Sequence, residues 1–144
     1  MIIADTNVIS ESIKKSPNAD VLSWLASNKY EIVITAITLQ ELYFGVLILP
    51  SGRRKDELLG VVENLASSAR KILPYTEAAA RVTGEIMATS KKKGINHPRP
   101  EDLQIAGIAL SLNLPLATRN TKHFAHLGLE LINPWNSQHP ASVK

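Results

Sequence analysis

Short runs of β-branched residues and leucine, each bounded by polar positions, punctuate the chain at Ile2 to Ala4, Glu31 to Thr35, Lys71 to Tyr75, Leu114 to Thr118 and Glu130 to Asn133. Most show no apolar–polar alternation, the pattern of strands covered on both faces. Between them apolar residues recur at helical spacing. Val21, Leu22 and Leu25 follow Ala19; Leu39, Leu42, Tyr43 and Val46 form a second face, and Leu58, Val61, Val62 and Leu65 a third. Ala79, Val82 and Ile86 give another helix that Gly94 should stop. Leu103, Ala106, Ala109 and Leu110 mark a segment so apolar that it should pack in the centre. Strands alternating with helices predict an α/β domain with a mainly parallel sheet of about five strands. Ligands of such sheets bind beyond the carboxyl ends of the strands, so the polar residues that fall there are the informative ones.

Three carboxylates and an amide share that setting. Asp5 ends the first strand, Glu41 follows the strand Ile32 to Thr35, Asp102 opens the central helix after "HPRP", and Asn120 lies just past the strand Leu114 to Thr118. Each has a purely structural explanation. Asp5 suits a helix N-cap. Thr38-Leu39-Gln40-Glu41 has the spacing of a capping box, with Glu41 in the first turn and reaching back to the Thr38 backbone. Asp102, beside Pro100 and Glu101, complements a helix dipole. Together, three acids at one sheet edge repel one another unless a cation lies between them. Oxygen ligands suit hard ions such as Mg²⁺ or Mn²⁺. There is no cysteine, and His97, His123, His126 and His139 lack zinc-site spacing. A carboxylate-held divalent ion at this edge points to phosphodiester hydrolysis.

Composition narrows the setting. With 144 residues, 44% of them hydrophobic and 20% charged, the chain reads as one ordinary globular domain able to bury its own core. The absence of cysteine fits a reducing compartment. No basic flank and long apolar region open the chain, and the longest apolar stretch, Tyr43 to Pro50, is too short to span a bilayer, so a cytoplasmic protein without membrane association is expected. A net charge of +3 and a pI of about 9.3 come from clusters at Arg53-Arg54-Lys55, Arg70-Lys71 and Lys91 to Lys93, with Arg99 and Arg119. They suit a polyanion, although Lys91 to Lys93 equally suit the last turn of a helix. The run Tyr43, Phe44, Val46, Leu47, Ile48 and Leu49 holds more apolar surface than one helix face can bury, which marks a partner surface.

The segments "IIADTNVIS", "TAITLQELYFGV", "EDLQIAGIAL", "LATRNTKHF" and "INPW" together resemble the PIN-domain ribonucleases, in particular the VapC and FitB toxins of bacterial type II toxin–antitoxin pairs. Order and spacing agree from Met1 to Trp135, which places a PIN-like domain at 1–135 and a tail at 136–144. The resemblance implies an endoribonuclease dependent on Mg²⁺ or Mn²⁺. Asp5 and Asp102 would be the principal ligands, Glu41 would ligate or orient water, and Asn120 would assist. Thr6, Asn7 and Thr118 would support this shell, and Arg99 and Arg119 would contact substrate phosphate. The resemblance further implies a homodimer and a cognate antitoxin that inhibits the enzyme and carries it to operator DNA. Relatives often place an acid three residues after "TRN", where this chain has His123. A nuclease acting on DNA and a catalytically silent binding module are the alternatives. A phosphoryl-accepting receiver domain is disfavoured, because the first strand delivers a single acid and "LPLATRN" lacks the late lysine.

Overall fold

The computed structural model describes residues 1–69, 71–96 and 99–136. Arg70, His97 and the tail from residue 137 onward, including His139, lie outside the described residues. Five strands form one parallel sheet: β1 (Ile2–Ala4), β2 (Ile32–Thr35), β3 (Ile72–Leu73), β4 (Leu116–Ala117) and β5 (Leu131–Ile132), in the spatial order β3-β2-β1-β4-β5. Every expected strand is present, trimmed at its ends. Seven α-helices are found among the described residues: α1 (Thr6–Ser12), α2 (Ala19–Ser27), α3 (Ala36–Leu47), α4 (Arg53–Ser68), α5 (Glu77–Lys92), α6 (Pro100–Leu112) and α7 (Thr121–Phe124). A 3-10 turn covers Pro134–Asn136. No described helix is long and apolar enough to cross a membrane.

Successive strand residues point to opposite faces, so the sheet divides the core in two. Ile3, Val33, Leu73 and Leu116 face α5 and α6 together with Ile86, Leu103, Ile105 and Ile108. Ala4, Ile34, Ala117 and Ile132 face α1 to α4, against Val8, Val21, Trp24, Leu42 and Val62. Both faces are covered, which is why the strands read as continuous apolar runs. Helix α6 is as central as its composition predicts, with Leu103 and residues 105–109 buried. It meets α5 closely at Gly107, where a Cβ would run into the Thr83 hydroxyl and lie 2.8 Å from the Ala79 carbonyl oxygen. Gly94, at φ +71°, ends the α5 segment as expected.

The helix starts explain the local folding and correct one expectation. Asn18, Thr35 and Thr76 cap α2, α3 and α5 through their side-chain oxygens. Thr35, not Thr38, is the cap of α3: its hydroxyl accepts from the Thr38 backbone N–H at 3.1 Å. Glu41 therefore lies in the second turn and makes no capping box. Two short helices carry too few residues for a periodic face to show in the sequence: α1, which starts directly at Asp5, and α7. Buried Glu11 accepts from Lys14 Nζ and the Asn18 backbone N–H, both at 2.8 Å, and so pins the link between α1 and α2.

Candidate active site

Asp5 follows β1, the central strand, and is 2% exposed. Its carboxylate caps α1, Oδ1 accepting from the Thr6 backbone N–H at 2.8 Å. The other oxygen does different work. Oδ2 accepts from Thr118 Oγ1 at 2.8 Å and from Asn7 Nδ2 at 3.2 Å. Thr118 follows β4, the neighbouring strand, and its hydroxyl also accepts from the Asn120 backbone N–H at 3.1 Å. Asn7 closes the ring by accepting from the Arg119 backbone N–H at 3.2 Å. The carboxylate is thus fixed by three donors from two strand ends, an arrangement that a cap alone does not require.

Glu41 is reached from the opposite side. Thr6 Oγ1 donates to its Oε1 at 2.6 Å, and the same hydroxyl lies 3.1 Å from that of buried Thr38. Its other oxygen, Oε2, forms an ion pair with the Arg99 guanidinium. Arg99 is the N-cap residue of α6, and Pro100 and Asp102 follow in its first turn. Asp102 is half-buried at that turn. Thr6, Gln40, Glu41, Phe44, Arg99 and Glu101 line a cleft of about 550 Å³.

The electrostatics show what this edge lacks. Burial pushes the Asp5 carboxyl above its ordinary range and nearby Asp102 adds to the rise, while hydrogen bonds from Thr118 and Thr6 and the Arg99 charge oppose it. Burial also raises Asp102, with Glu101 adding and Arg99 and His123 opposing. Two buried carboxyls, one of them raised further by the charge of the other and held by donors that favour its charged form, are what a bound cation would relieve. The donors are all oxygen, as Mg²⁺ or Mn²⁺ requires, and such ions need only one or two protein carboxylates. Among the described residues no three Asp, Glu, His or Cys side chains converge on one point. The Glu41 oxygens are taken up by Thr6 and Arg99.

The other expected residues are placed less centrally. Asn120 is exposed at the N-cap of α7, and its side chain makes no capping bond. The Arg119 guanidinium lies over the Trp135 ring, 5.1 Å from its centroid. Two residues were not foreseen as part of the site. His123 acts on Asp102 through its charge, and its only signal in the sequence is its place three residues after Asn120. Glu101 lines the cleft and lies 3.5 Å from Arg99 Nε; "PED" offers it alongside Asp102 without distinguishing the two.

A parallel α/β sheet with paired aspartates beyond β1 and at the start of α6 defines a class that the PIN domain model matches over residues 2–129. The chain belongs to the PIN domain family. It is 37% identical over 138 residues to the VapC ribonuclease Y4jK of Sinorhizobium fredii, covering 94% of this chain and 98% of that protein. It is also 37% identical over 139 residues to the toxin FitB of Neisseria gonorrhoeae, covering 94% and 99%. The crystal structure of FitAcB from Neisseria gonorrhoeae superimposes with a TM-score of 0.84 at 36% identity, over 94% of this chain and 99% of that one. VapBC2 from Rickettsia felis, solved bound to a DNA fragment from its promoter, gives a TM-score of 0.78 at 27% identity, over 92% and 98%.

Proposed function

We propose that this protein is a Mg²⁺- or Mn²⁺-dependent endoribonuclease and the toxin half of a toxin–antitoxin pair. The observation that carries the reading is the Asp5–Asp102 pair at the carboxyl edge of the sheet, both carboxyls raised by burial and Asp5 raised further by the charge of Asp102. Its relatives named as a VapC ribonuclease and as a toxin support the substrate class and the biological role. A divalent ion held by Asp5 and Asp102 would supply Lewis acidity to a phosphoryl oxygen and lower the pKa of the attacking water. The chain's own groups do the rest. Thr118 and the Thr6 backbone favour the ionised form of Asp5 against its burial, and with Asn7 they orient it, in the manner of partners that fix a ligand from behind. Glu41 orients water at the cleft, Asn120 offers an amide at its rim, and Arg99 and Arg119 present cations to the phosphate backbone.

The partner surface adjoins the cleft. Phe44, which lines it, is 65% exposed, and Ile48 on the same stretch is 64% exposed. An antitoxin segment lying along these residues would cover the cleft as it buried them, and the promoter-bound VapBC2 complex supports a role for that assembly on operator DNA. A homodimer completes the reading.

Purified protein freed of antitoxin should cleave RNA in the presence of Mg²⁺ or Mn²⁺ and stop when a chelator is added. It should leave DNA of the same sequence intact. Asp5→Asn and Asp102→Asn should each abolish cleavage while the protein stays folded by circular dichroism. Cleavage surviving in either variant would sink the metal-site reading, and equal cleavage of DNA would sink the substrate assignment.

A further inference from the structure

Glu41 has no free oxygen. Oε1 takes the Thr6 hydroxyl at 2.6 Å, and Oε2 takes the Arg99 guanidinium. Arg99 sits three positions before Asp102 on the segment that opens α6, whereas Glu41 belongs to α3. The ion pair therefore joins the two walls of the cleft. The Arg99 side chain is 48% exposed and that of Glu41 13%, so the arginine is open to solvent and the glutamate is not. Arg99 also acts on both Asp5 and Asp102 through its charge, which places it within the field of all three acids.

We propose that Arg99 is a built-in counter-cation for the metal site. It holds Glu41 away from the Asp5–Asp102 pair, and it leaves Glu41 for the phosphate backbone when RNA enters the cleft. Pairing with Arg99 and ligation of a divalent ion compete for the same Glu41 oxygen, so the third carboxylate joins the site only when substrate draws the arginine off. A guanidinium binds phosphate in the same forked geometry as it binds carboxylate, which makes the exchange chemically matched. RNA and metal then tighten each other's binding, and linkage makes that effect reciprocal. The inference rests on the metal-dependent ribonuclease reading.

Mn²⁺ titrated calorimetrically into chelator-treated protein tests it, with and without a 2′-O-methyl RNA that binds but cannot be cleaved. Wild type should bind Mn²⁺ more tightly when the RNA is present. Arg99→Gln, without RNA, should bind Mn²⁺ about tenfold more tightly than wild type, the scale of one charge-assisted hydrogen bond. Its further gain on adding RNA should be smaller than that of wild type. In a Glu41→Gln background the gain from Arg99→Gln should shrink to the small part that comes from its charge on Asp5 and Asp102, because the competition is for the Glu41 carboxylate. Arg99→Met, which keeps the apolar stem, repeats the measurement should the glutamine variant fold poorly. Unchanged or weaker Mn²⁺ binding in the Arg99 variants overturns the proposal, as does an equal gain in the Glu41→Gln background, which would show a general charge effect. Absence of Mn²⁺ binding in wild type and variants alike, with RNA present, overturns the metal-site reading itself.

Discussion

Thr118→Val changes one atom of the Asp5 network and leaves the side-chain shape nearly intact, replacing a fully buried hydroxyl with a methyl. The hydroxyl donates to Asp5 Oδ2 at 2.8 Å and accepts from the Asn120 backbone at 3.1 Å and from Asn7 Nδ2 at 3.4 Å. A hydrogen bond to a charged group contributes about 1.5–3 kcal/mol, and stranding a buried partner costs about 1–3 kcal/mol. The added methyl returns about 0.8 kcal/mol of apolar burial. Asn120 is exposed, so water takes up its N–H, and a net loss of about 2 kcal/mol remains. For a chain of this length that lowers Tm by about 4–8 °C. The pH dependence sharpens the test. The Thr118 bond favours ionised Asp5, so its loss raises the folded pKa further; the penalty is full where Asp5 is charged and shrinks as the pH falls through that pKa. Thermal unfolding with chelator, at about pH 8 and about pH 4, should show a wide gap at the first and a narrow one at the second. Thr118→Ser is the control, because it loses a methyl but keeps the donor, so its penalty should not vary with pH. A Thr118→Val variant whose Tm follows wild type at both pH values would refute the assignment of this hydroxyl to Asp5.

Asp102 has a folded pKa raised above its ordinary value of 3.8, so its ionisation opposes the fold. Stability is lost as the pH climbs from that value through the folded pKa, and chelated Asp102→Asn should match or exceed wild type in Tm near neutrality, with no such advantage in acid. A lower Tm at neutral pH would mean that Asp102 is held by favourable partners instead. Gly107→Ala gains about 1 kcal/mol of helix propensity but sets a methyl 2.8 Å from the Ala79 carbonyl. A net destabilisation of about 1–3 kcal/mol, read from the urea midpoint, is expected from overpacking, and a stabilised variant would show that α5 and α6 are less closely apposed. Phe44→Glu with Ile48→Lys should leave the unfolding midpoint within about 0.5 kcal/mol, since both residues are exposed. The pair should abolish co-purification with the co-expressed antitoxin; a complex that persists would place the antitoxin surface elsewhere.

All five strands were legible in the sequence, because covered strands announce themselves as apolar runs. Their spatial order was not, since the runs carry no pairing information. The start of α3 was misplaced by about one turn. "ITAITL" offers Thr35 and Thr38 as equally good caps, and β-branched residues on both sides hide the passage from strand to helix. That error made Glu41 look like a capping residue. Its actual partners, Thr6 and Arg99, are remote in sequence and become visible only once α1 and the start of α6 lie beside α3. Asp5 was read both as a cap and as a site residue; its Oδ1 makes the capping bond and its Oδ2 takes the Thr118 hydroxyl. Thr6, Asn7 and Thr118 were singled out through the resemblance, yet the particular bonds they make depend on β1 and β4 being neighbours.

The bond between Thr118 and Asp5 spans 113 positions in the chain and forms just past the paired residues Ala4 and Ala117. A slip of one residue between β1 and β4 would turn Thr118 to the opposite face, and a slip of two would carry it about 6.6 Å away. Neither error leaves Asp5 its donor. A nascent chain that has emerged only as far as α5 already displays Asp5 and Glu41 but has neither Asp102 nor the strand that brings Thr118 to the site. The full set of groups comes together only after β4 has left the ribosome and taken its place beside the first strand made. Synthesis itself thus delays assembly of the nuclease centre until most of the polypeptide has left the exit tunnel.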